Sequence, residues 1–148
     1  MDCKFFYKFT TRRRCLAPIG EPVRQPKEIV SFLRKAIFND PSQMWREWSV
    51  ALFFDNGKRI IGYEVLAMGG TDRCGIDIKP VCRTAIQVMA AGVVHVHNHP
   101  NGSCEPSCYD IESIATLRKA LSTLDIELID AIVITEKDAF SFALDSTV

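Results

Sequence analysis

The sequence predicts a single α/β domain, an α/β sandwich around a mixed β-sheet, and three observations predict it. Apolar runs of strand period recur along the chain, stretches of helical spacing lie between them, and 148 residues at 47% hydrophobic composition suffice for one buried core. In order, the elements read β-β-α-β-α-β-β behind an N-terminal helix.

Residues 1–25 mix Phe5, Phe6, Tyr7 and Phe9 with the basic run Arg12-Arg13-Arg14 and the prolines Pro18 and Pro22. They are read as an edge strand followed by a linker, with the domain proper over 26–148. From Pro26, a residue suited to a first helical turn, Ile29, Phe32, Leu33 and Ile37 form one helical stripe that Asn39-Asp40-Pro41 ends. Ser49 to Phe54 and Arg59 to Met68 are β-rich and are joined by Asp55-Asn56-Gly57-Lys58; Asn-Gly is expected to supply the positive φ angles of a tight hairpin. A turn at Gly69-Gly70-Thr71-Asp72 leads to a helix over Lys79 to Ala91, with Val81, Ala85, Val88 and Met89 at helical spacing and Gly92 as its stop. Val93 to His97 alternates into a short buried strand. A loop from Asn98 to Pro106 precedes a helix opened by Ser107 and running to about Thr123. Two strands close the chain, Glu127 to Thr135 and Ala139 to Leu144, with Glu136-Lys137-Asp138 as the turn.

Lys+Arg and Asp+Glu number 18 each, so the net charge is zero and no overall field draws in nucleic acid or an anionic membrane. A DNA partner would have to be held locally, and three adjacent arginines support only weak, salt-sensitive phosphate binding. Six cysteines stand at 3, 15, 74, 82, 104 and 108, and the first thirty residues lack a signal-peptide pattern, so the expected compartment is cytoplasmic with reduced thiols. No segment approaches the roughly 18 uninterrupted apolar residues of a membrane span.

The chemistry concentrates in one place. All three histidines lie at 95, 97 and 99, and strand alternation starts them on one face. Two neutral imidazoles at His97 and His99 make half of a metal site, and Asp110 supplies the third ligand through Ser107-x-x-Asp110 at a helix start. Two His and one Asp leave a coordination position open for water, the arrangement of catalytic rather than structural zinc. A base that is not itself a ligand is then needed. Glu64 is chosen, a charge in the middle of the apolar strand Ile60 to Met68, placed to work on the metal-bound water.

These residues resemble a known family. His97-Asn98-His99-Pro100-Asn101-Gly102, followed by Pro106-Ser107-Cys108-Tyr109-Asp110, is similar to the signature of the RadC-like branch of the JAB/MPN (JAMM) metalloprotease superfamily. The resemblance extends over roughly Ile29 to Leu144. It implies a cytidine-deaminase-like α/β fold and zinc on His97, His99 and Asp110, with Glu64 as general acid/base and Ser107 stabilising the oxyanion of a tetrahedral intermediate. It also implies hydrolysis of peptide or isopeptide bonds.

Other readings stay open at this point. Ser107 and Asp110 form a helix cap in their own right. His95 could join His97 and His99 in a three-histidine site, and Cys104 and Cys108 could close a structural site with the same two histidines. Glu64 could be a plain edge-strand charge. The alternative function is a non-catalytic DNA- or protein-binding module on the same fold. The aromatic cluster Phe5 to Phe9 is expected to pack on a sheet edge or on a second copy of the chain, as in a homodimer.

Overall fold

A computed structural model describes residues 20–69 and 76–148. The expected N-terminal strand, the aromatic cluster, Arg12 to Arg14 and most of the turn at 69–72 lie outside the described residues.

The first helix, α1 (Pro26–Ala36), opens with Pro26 and buries Ile29, Val30 and Leu33; of the predicted stripe Ile29 and Leu33 are buried in the helix and Ile37 just past its end, while Phe32 is partly buried and Val30 takes a core place. A 3-10 turn at Pro41–Trp45 delivers the chain to β1 (Trp48–Phe54), which forms a hairpin with β2 (Ile60–Met68). Then come α2 (Ile78–Gln87), β3 (Gly92–Asn98), α3 (Cys108–Ser122), β4 (Glu127–Ile134), β5 (Ala139–Ser141) and β6 (Ser146–Thr147). One six-stranded sheet results, in the order β2-β1-β3-β4-β5-β6. β3 and β4 run parallel, while the other neighbouring pairs are antiparallel.

Strand alternation sends side chains to two separate cores. Val50, Leu52, Phe54, Val94, Val96, Ile132 and Ile134 pack with α1 on one face. Ala51, Phe53, Val93 and Ala131 pack on the other with Val81 and Ala85 of α2 and Leu117 and Leu121 of α3. The mixed sheet between helices is the predicted sandwich. No helix among the described residues is long and apolar enough to cross a membrane.

Three local expectations need correction. In the hairpin turn the left-handed residue is Lys58, at φ 58, and neither Asn56 nor Gly57 has positive φ. The Asp55 carbonyl accepts from Lys58 N at 3.0 Å and the Asp55 carboxylate from Arg59 N at 2.9 Å, so the aspartate organises the turn in place of the Asn-Gly pair. Helix α2 ends near Gln87 and not at Gly92, because Met89 takes the left-handed position at φ 55. Gly92 instead begins β3, where a Cβ would stand 2.5 Å from Ile129 Cδ1. The last predicted strand is cut short, since Ser141 and Ala143 turn in towards Asp130, and the chain returns as the two-residue β6.

Candidate metal centre

The antiparallel pairing of β1 with β3 decides what meets at this end of the sheet. Ser49 lies opposite His97 and Ala51 opposite His95, all on the α2/α3 face. Two residues back along β1, position 47 therefore approaches position 99. The ligand atoms of Glu47, His97 and His99 lie within 4.8 Å of one another, with Glu47 and His97 buried and His99 half-buried.

Asp110 comes in from the first turn of α3. Its Oδ1 is 3.1 Å from His97 Nε2 and its Oδ2 is 3.5 Å from His99 Nε2, while the two Nε2 atoms are 3.1 Å apart. Ligands about 2.0–2.1 Å from a tetrahedral zinc are separated by roughly 3.3–3.4 Å, so the trio fits a small divalent ion. The His99 ring is held by its Nδ1, 2.8 Å from the Ser103 carbonyl, which turns Nε2 towards the centre. Burial alone would raise the Asp110 carboxyl. Hydrogen bonds from His97, His99 and the Ser107 hydroxyl outweigh that and hold it well below the usual carboxylate range. The Asp110 hydrogen bond raises His99 against the opposing effect of its burial.

Ser107 is the N-cap of α3. Its Oγ accepts from Asp110 N at 3.1 Å and donates to Asp110 Oδ2 at 2.7 Å, and Ser107 N donates to the same oxygen at 2.7 Å. Cap and carboxylate orientation are one device here, and the single hydroxyl proton is directed at Asp110.

The remaining candidates stand apart. His95 is buried, with Nε2 2.8 Å from Ser49 Oγ, and burial first and His97 second push its pKa down to about 3, so it is a neutral interior side chain. Cys104 and Cys108 are free thiols, Cys104 half-buried and Cys108 exposed. Glu64 is tied to α2. It faces the expected side of the sheet, but its carboxylate is bound by Arg83 Nη2 at 2.8 Å and Thr84 Oγ1 at 2.5 Å, both on α2. Pairing with Ala51, which in turn pairs with His95, it lies two strands over from β3 and two residues short of the His97 level, on the order of 12 Å away by strand spacing and rise. The acid beside the histidines is Glu47. One sequence signal could have found it: a carboxylate immediately ahead of the apolar run Trp48 to Phe54, in the strand that pairs with His-x-His.

A family model described as RadC-like JAB domain matches residues 23–147. Curated relatives include a UPF0758 protein of Marinobacter nauticus, 35% identical over 124 residues that cover 84% of this chain and 54% of that protein. UPF0758 proteins of Paraburkholderia xenovorans and Burkholderia thailandensis are 33% and 36% identical over 121 residues, covering 82% of this chain and 46% and 45% of theirs. The chain spans about half the length of these relatives.

Proposed function

The chain belongs to the RadC-like JAB domain family, and from that premise we propose that it is a zinc-dependent hydrolase of peptide or isopeptide bonds, with the ion on His97, His99 and Asp110. The observation that carries this reading is the convergence of two imidazole nitrogens and a carboxylate within 3.1–3.5 Å, with a second buried carboxylate, Glu47, alongside. A divalent ion in that cradle would supply Lewis acidity, polarising a carbonyl and easing the ionisation of water.

The protein's own groups account for the rest. Glu47 is in place to take a proton from an attacking water and return it to the departing amine nitrogen. Ser107 fixes Asp110 through its backbone N–H and hydroxyl. The oxyanion role that the family resemblance implies for Ser107 requires its Oγ–H to turn from Asp110 to the substrate oxygen. The balanced charge of the chain favours this reading over a nucleic-acid one.

Elemental analysis after purification without added zinc tests the centre. About one zinc per chain is expected in wild type and in Cys104→Ser/Cys108→Ser, and none in His97→Ala/His99→Ala. Retention of metal by the histidine double variant, or its loss with the cysteines, would overturn the assignment. On quenched-fluorescence peptide and isopeptide substrates, Glu47→Gln should lose roughly 10²–10⁴-fold in turnover while Glu64→Gln stays near wild type.

A further inference from the structure

Asn98, between the two histidines, is fully buried, and both ends of its amide are hydrogen-bonded. Its Oδ1 accepts from Trp48 N at 2.6 Å, and its Nδ2 donates to the Arg46 carbonyl at 2.8 Å and, more weakly, to the Gln43 carbonyl at 3.5 Å. The orientation of the amide is unambiguous, because an N–H and two carbonyls demand opposite ends of it. One side chain thus grips the backbone on both sides of Glu47.

This grip replaces something. The backbone pairing of β1 with β3 runs from Phe54 and Gly92 to Ser49 and His97 and stops there. Beyond that point the Asn98 amide carries the connection, so β1 stays tied to β3 but one side-chain length away. The opposite edge of the same segment is tied as well, by Gly69 N donating to the Glu47 carbonyl at 2.8 Å. Asn98 points to the α1 face with Val94 and Val96, so it leaves the metal side free while setting the height of Glu47 over His97 and His99.

We propose that Asn98 is a positioning residue, which places the Glu47 carboxylate against the metal centre by clamping Arg46 and Trp48. The inference rests on the metal-centre reading above. Alanine removes both hydrogen bonds and frees the segment that carries Glu47, while all three ligands remain. Aspartate keeps the acceptor for Trp48 N but sets a carboxylate oxygen against the Arg46 carbonyl.

Cobalt(II) added to the metal-free protein is the probe, read by its visible absorption and by its dissociation constant in competition with a chelator. Glu47→Gln supplies the reference spectrum for a centre without its carboxylate. Asn98→Ala should still bind one cobalt on the three remaining ligands and show the Glu47→Gln spectrum. Adding it to Glu47→Gln should change the spectrum no further, and Asn98→Asp should fall between Asn98→Ala and wild type. If folded Asn98→Ala or Asn98→Asp matches wild type, or if Glu47→Gln itself leaves the spectrum unchanged, the clamp does not place Glu47 against the centre and this inference fails alone. If wild-type protein binds no cobalt, the metal-centre reading fails and takes the inference with it. Should Asn98→Ala not fold, Asn98→Asp decides by the same spectrum.

Discussion

Ser49 and His95 show how much a single polar contact carries in the interior. His95 is almost completely buried, its Nε2 is bonded to Ser49 Oγ at 2.8 Å, and its Nδ1 has no partner among the described residues. Ser49→Ala would remove the hydrogen-bond partner that the buried imidazole has among the described residues. The unfolding free energy should drop by about 1–3 kcal/mol, the usual cost of a buried unpaired polar group, and an unchanged urea midpoint would refute this. At this scale the sequence was legible where spacing alone decides. His-x-His and Ser-x-x-Asp needed only the strand and helix periods, and the structure brings His97, His99 and Asp110 together. Glu47 was not legible, since it meets His99 only through the register of β1 on β3, a pairing whose partners Trp48 and Asn98 are 50 residues apart. Glu64 attracted attention as a charge among apolar residues, and the compensation it has is local, from Arg83 and Thr84.

Among the elements, α1 carries the clearest pH signature. The Glu28 carboxylate accepts from Arg24 N at 2.6 Å and Gln25 N at 3.3 Å, and these two backbone donors, Arg24 first, lower its pKa below the ordinary 4.5. A carboxyl with a lowered folded pKa contributes fully above its unfolded value, and the contribution fades as pH falls through the lower folded value. Amide protection at Arg24 and Gln25 should therefore hold steady above pH 4.5 and decline below it. Glu28→Gln should start lower and lack that decline; parallel behaviour of the two proteins would rule the capping role out. Element existence and order followed from periodicity, but ends did not. Met89 in the left-handed region and Gly92 under Ile129 are set by packing, which no local pattern carries. The same holds for the tail, where buried Asp130 draws in Ser141 and Ala143 and bends the chain into β6.

Across the whole molecule, the sheet divides the interior into two layers that share strands but few side chains. Leu33 of α1 and Leu117 of α3 are each fully buried, in opposite layers. Leu33→Ala and Leu117→Ala should each cost about 2–5 kcal/mol. With no shared partner, their effects should add within about 0.5 kcal/mol in the double variant. A double variant no less stable than the worse single one would mean that the layers communicate through the sheet.

β1 sits between a partner that follows it across a short turn and one that arrives far later in the sequence. During synthesis, then, the hairpin can close while the other flank of β1 still waits, its Val50, Leu52 and Phe54 without their eventual cover from β3. Asp110 emerges later still. The groups of the candidate centre thus come together only after the long connection between β1 and β3 has closed.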